Sequence, residues 1–138
     1  MREIKFRGKL KEKGMSGWIE GSLVHITRTY KGEEDEQECD IYQIINEDGV
    51  GFFIDKETIG QFTGLHDKNG KEIYEGDITD AGYNNIGVVK YGEYNCSCCE
   101  GVYGWYVDGG DIRSAERFLE VIGNLYENTD LLKGADNI

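Results

Sequence analysis

The chain has 138 residues, with 15 Lys and Arg against 27 Asp and Glu, for a net charge of −12 at pH 7. That length serves one compact domain, or a barrel with a smaller β element attached, and it buries enough surface to fold without a metal or a disulfide. So acidic a surface repels phosphate backbones and disfavours nucleic-acid binding, and no apolar run is long enough to span a bilayer as a helix.

Pro is absent and Gly numbers 20, so reversals must rest on Gly, Asn and Asp, while nine Tyr and five Phe favour strands. The start, Met1 to Arg7, alternates charged and apolar residues and lacks the continuous apolar stretch of a signal peptide, so the protein is expected to stay where it is made. Ile4 and Phe6 predict a first strand ending near Gly8. The basic residues Arg2, Lys5, Arg7, Lys9, Lys11 and Lys13 read as the solvent side of an edge strand. A second strand is predicted over Trp18–Ile26 and a third over Cys39–Ile45, and the acidic run Glu33–Glu38 between them reads as a solvated loop. Asn46-Glu47-Asp48-Gly49 is a turn, from which Val50–Ile54 returns as a half-buried strand. Asp55–Gly60 is a short link, one helical turn started by Asp55.

Further strands are expected at Gln61–His66, Lys71–Glu75, Asp77–Thr79, Ile86–Tyr91, Gly104–Asp108 and Phe118–Tyr126, with Asn69-Gly70 a strong turn signal. Helix is scarce: two turns over 111–117 started by Asp111, and a terminal turn over 129–133. Several short strands at this spacing predict a small barrel or sandwich, and the weakest boundary lies near 56–61.

The stretch Gln61-Phe62-Thr63-Gly64-Leu65-His66-Asp67-Lys68-Asn69-Gly70-Lys71-Glu72-Ile73-Tyr74-Glu75-Gly76-Asp77-Ile78 resembles the signature of the YopX family of bacteriophage and prophage proteins. Met1–Gly8, Gly17–Leu23 and Glu120–Asn128 resemble the same family, in the expected order. The resemblance implies a β-rich protein with a small barrel in its C-terminal half and a tendency to self-associate; with no signal-peptide pattern at its start, the cytoplasm of a bacterial host is where it is expected. It brings no activity, cofactor or catalytic residue to carry over. The fold expected is mainly β (all-β to α+β with minor helix): an N-terminal β meander over 1–59 and a small C-terminal SH3-like barrel over 60–138. The signature also has a purely structural reading. Phe62, Leu65, Ile73, Tyr74 and Ile78 would be core, Gly64 and Gly70 would take conformations a side chain strains, and Asp67 and Asn69 would bond their own backbone in the turn.

Cys96, Cys98 and Cys99 are the metal-ligand candidates, but their spacing lacks the pairs two residues apart that structural zinc takes, and no second cluster follows. Cys39, His25 or His66 could complete such a site only if the fold brought them close. Neither histidine has a metal-ligand spacing, and each reads as an ordinary polar side chain. Glu72, Glu75 and Asp77 read as surface carboxylates without the defined separation that acid–base work needs. There is no phosphate-binding loop, dinucleotide fingerprint or nucleophile elbow. Tyr94, Tyr103, Trp105 and Tyr106 are the interaction candidates, and the charge favours a protein interface over nucleic acid. The expectation is a non-enzymatic, self-associating binding or assembly module without a cofactor or a membrane, with a second copy or a host protein as its partner. The alternatives are an acidic inhibitor of a host nucleic-acid-binding protein and a thiolate metal-binding protein.

Overall fold

The computed structural model describes residues 3–11, 14, 16–82, 85–94, 102–107, 110–112 and 115–132. The chain divides into two compact units, one over Ile4–Gln61 and one holding Phe62 onwards. Both are antiparallel β, so the protein is mainly β, as its glycine-punctuated apolar alternation predicts.

In the first unit, β1 (Phe6–Lys9) pairs with β2 (Trp18–Lys31), β2 with β3 (Glu36–Ile45), and β3 with β4 (Gly51–Phe53). A 3₁₀ turn over Lys56–Thr58 follows, its first N–H groups met by Asp55, whose Oδ1 accepts from Glu57 N at 3.2 Å. β5 (Gly60–His66) begins here, with Gly60 and Gln61 opposite Arg7 and Phe6. The expectation that β1 is an edge strand fails. It has β2 on one side and the start of β5 on the other, Arg7 is half-buried with its guanidinium 5.1 Å from the Trp18 ring, and Lys9 N donates to Thr58 Oγ1 at 2.8 Å. Arg and Lys can occupy an inner strand this way because their long stems carry the charge off the sheet. Ile44 and Ile54 form the buried centre, and Gly8 is needed beside it: a Cβ there would lie 2.8 Å from Ile54 Cδ1. The turn after β3 is built as predicted, with Gly49 at φ 80° and Asn46 Oδ1 accepting from Asp48 N and Val50 N at 3.0 Å each.

The β2–β3 hairpin is longer than the sequence reading. Its rungs run without interruption from Ser22↔Ile45 to Lys31↔Glu36, closed by a tip in which Gly32 N donates to Asp35 O at 2.9 Å. Glu36 and Glu38, expected in a loop, are strand residues. β-branched and aromatic residues at Val24, Ile26, Thr27, Thr29 and Tyr30 supply the extended propensity that carries the ladder through the charges.

In the second unit the rest of β5 pairs with β6 (Glu72–Tyr74), and a five-stranded sheet runs in the order β10-β9-β8-β7-β11. Its strands are β7 (Asp77–Asp80), β8 (Ile86–Tyr94), β9 (Val102–Val107), β10 (Gly110–Asp111) and β11 (Glu120–Asn124). Among the described residues this sheet does not close into the expected barrel. Closure needs edge strands long enough to pair, and β10 has two residues. The helical turn α1 (Ala115–Phe118) starts after Asp111, which itself belongs to β10. Ile73, Val89, Ile112, Ala115 and Leu119 form the core, with Trp105 and Val107 packed on it. No helix among the described residues is long and apolar enough to cross a membrane.

Candidate functional site

The hairpin arm is the feature of the first unit that its core does not explain. Directly opposite residues share a face of a ladder, so the rungs sort the arm into two faces. His25, Thr27, Thr29 and Lys31 of β2 stand with Tyr42, Asp40, Glu38 and Glu36 of β3 on one face; Val24, Ile26, Arg28 and Tyr30 stand with Gln43, Ile41, Cys39 and Gln37 on the other. From His25 to Asp40 every residue is exposed, and Ile26 and Tyr30 show 37% and 53% of their surface.

On the polar face Asp40 Oδ1 accepts from the Thr27 hydroxyl at 2.9 Å and pairs with His25 Nε2 at 3.0 Å, while the His25 ring stacks on Tyr42 at 4.4 Å and 2°. The His25 bond first and the Thr27 bond second hold the Asp40 carboxyl below its ordinary value. Thr27 donates its hydrogen bond to the carboxylate that also meets His25, so this group fastens the two strands of the arm.

Outside β3, at the base of the arm, lies an open groove of about 530 Å³ lined by Lys11, Cys39, Asp40, Ile41, Tyr42, Phe53, Ile54 and Lys56. Cys39 is an exposed free thiol. It stands on the opposite face of the arm from His25, so the hairpin keeps these two metal candidates apart. Cys96, Cys98 and Cys99 lie outside the described residues. Among the described residues no three His, Cys, Asp or Glu side chains are grouped to hold an ion.

In the second unit the four aromatic candidates divide between two faces of the β8–β9 ladder. Tyr94 and Tyr106 share one face, their rings stacked at 5.6 Å across the glycine rung Gly92↔Gly104. Trp105 and Tyr103 share the other. Trp105 packs on the core with Tyr91 edge-on at 5.0 Å, and Tyr103 is 69% exposed.

The turn after β5 is a structural joint. Asp67, 3% exposed, accepts from Asn69 N, Lys71 N and, across 54 residues, Val121 N, each at 2.9 Å. Lys68 N donates to Leu119 O at 2.8 Å. Gly64 and Gly70 sit at φ 85° and 83°, and Phe62, Ile73, Tyr74 and Ile78 are buried, with Leu65 half-buried.

This turn, its flanking strands and the β11 segment it ties down lie within residues 5–133, which match the family described as YopX protein. The chain belongs to the YopX family. Membership points to a phage-type protein and leaves the activity to be argued from the molecule. A comparison with curated proteins gives no match. Within this YopX chain one carboxylate departs from the sequence reading: Asp77, taken as a surface acid, is 1% exposed and accepts from Tyr74 N at 2.8 Å. Its neighbour Glu72 accepts from the Tyr74 hydroxyl at 3.3 Å. The arm was not among the sequence candidates either. Its signal was the alternation of Thr27, Thr29 and Lys31 against Glu36, Glu38 and Asp40, mirrored about Gly32–Asp35, which becomes readable once the register is known.

Proposed function

We propose that this chain works without catalysis, as a self-associating assembly or protein-binding module of phage or prophage origin, in the cytoplasm of a bacterial host. The observation that carries this reading is the arm. A two-stranded ribbon is marginal on its own in water, yet this one extends from His25 to Asp40 with every residue exposed and with Ile26 and Tyr30 uncovered. Length without a supporting layer is what a surface completed by another protein copy looks like, because apolar side chains on an isolated ribbon gain nothing until something covers them.

The test compares the full chain with a variant in which Thr27–Asp40 is replaced by Asn-Gly, keeping the Ile26↔Ile41 rung. Sedimentation velocity at micromolar concentration should give a mass above one chain for the first and one chain for the second. A monomeric full chain, or an unchanged mass after shortening, would overturn the reading.

A further inference from the structure

We propose that the arms join head to tail, the outer edge of β2 in one copy adding to the outer edge of β3 in the next. This rests on the reading of the chain as self-associating and specifies the contact.

The main chain sets the geometry. Ile54 N donates to Tyr42 O at 3.1 Å, so the Tyr42 backbone points away from β2. Strand alternation then turns the N–H and C=O groups of Asp40, Glu38 and Glu36 to the same outer side. His25 stands opposite Tyr42, so its backbone, with those of Thr27, Thr29 and Lys31, points outward from β2. Among the described residues no strand pairs with β2 beyond Gly21 on that side, or with β3 from Glu36 to Ile41. Neither edge has the proline that shields exposed strands elsewhere, and the ladder between them has no bulge to twist it away.

The side chains set the partner. Those of the outward residues on β2 are His25, Thr27, Thr29 and Lys31, all able to donate hydrogen bonds, and no acid occurs from Ser22 to Lys31. The matching row on β3 is Asp40, Glu38 and Glu36, all acceptors, and no base occurs from Glu36 to Ile45. Both rows lie on one face. Two β3 edges brought together would set three carboxylates against three, and two β2 edges would set Lys31 near a row with no carboxylate to meet it. A β2 edge beside a β3 edge repeats the recognition already made inside the hairpin, where Thr27 and His25 meet Asp40. Both of those bonds fall on Asp40 Oδ1.

Arms pointing the same way keep β2 antiparallel to the neighbour's β3, as in the hairpin, and they continue the apolar face of Ile26, Tyr30 and Ile41 from copy to copy. Because the two edges differ, the contact is heterologous, and it generates a ring or an open chain of copies in place of a two-fold dimer.

Two variants of the full chain test this: T29E/K31E, which makes the outward row of β2 acidic, and E36K/E38K, which makes that of β3 basic. Each should raise the apparent dissociation constant for assembly at least tenfold, and an equal mixture should restore the wild-type mass, since opposite edges again face each other. Each change also sets like charges across the Lys31↔Glu36 rung. The fourfold variant T29E/K31E/E36K/E38K removes that difficulty, because the Glu38 and Glu36 rungs again join opposite charges, and it should assemble with itself but not with the wild type. If both edge variants assemble like the wild type, or if one edge alone matters, the head-to-tail contact is wrong while self-association stands. A monomeric wild type removes both.

Discussion

Asp67 gathers three backbone N–H groups on one carboxylate, two from its own turn and one from Val121 on β11. Burial alone would raise its pKa, but the bonds from Val121, Lys71 and Asn69, with the Lys71 charge, outweigh it and hold the carboxyl below its ordinary value. A depressed folded-state pKa adds stability that is present above the unfolded value, near pH 4, and is lost as the pH falls through the folded one. Asp67→Asn should therefore lower stability by about 2–3 kcal/mol near neutral pH, because hydrogen bonds to a charged acceptor are lost. Its deficit against the wild type should shrink below about pH 4. Urea unfolding of both chains at neutral and acid pH checks this, and an equal deficit at both would refute it. Gly21 gives a second expectation. A Cβ there would run into the carbonyl oxygen of Ile45 at the foot of the hairpin. Gly21→Ala should cost about 2–3 kcal/mol by forcing the backbone apart, read as a lowered urea midpoint.

At the scale of the element, the arm and the body of its unit should come apart energetically. Asp40→Ala removes the acceptor for both His25 and Thr27, on a stretch that is exposed throughout. The expected outcome is faster hydrogen exchange of amides from His25 to Asp40 with an unchanged melting temperature, because the buried centre at Ile44 and Ile54 is untouched. A cooperative loss of the whole fold would contradict it. Acid should act in the same direction, since the lowered Asp40 pKa means that its bonds are kept above the ordinary carboxylate range and lost below it. The sequence made most strands legible because Ile, Val, Phe and Tyr alternate between glycine reversals. It hid the arm because past Ile26 the alternation passes to Thr, Arg and Lys facing Glu and Asp, residues that single-strand hydropathy scores as loop. It hid the burial of Asp77 for a related reason: a carboxylate is cheap to bury when a backbone N–H is aimed at it, and that partner, on Tyr74, exists only once the turn at Gly76 is formed. The open sheet was hidden too, since whether strand ends meet depends on twist and stagger that no local pattern carries.

For the whole molecule, the net charge of −12 opposes the assembly that the arm edges favour. The two forces have different ranges. Edge recognition acts across one strand spacing, about 5 Å, while repulsion between whole copies acts over the Debye length, about 30 Å at 0.01 M salt, about 8 Å at physiological salt and about 3 Å at 1 M. At low salt the long-range repulsion is unscreened and should hold copies apart. Near physiological salt it is cut to the contact distance while the row of Lys31, Thr29 and Thr27 still feels Glu36, Glu38 and Asp40 across the edge. At 1 M salt the edge attraction is screened as well. Assembly should thus peak at intermediate ionic strength, read as the weight-average mass by sedimentation at the three salt concentrations. A steady rise with salt would assign the contact to the apolar face of Ile26 and Tyr30 alone, and a steady fall would mean that attraction between charges dominates at every distance, which a chain this acidic does not permit between identical copies.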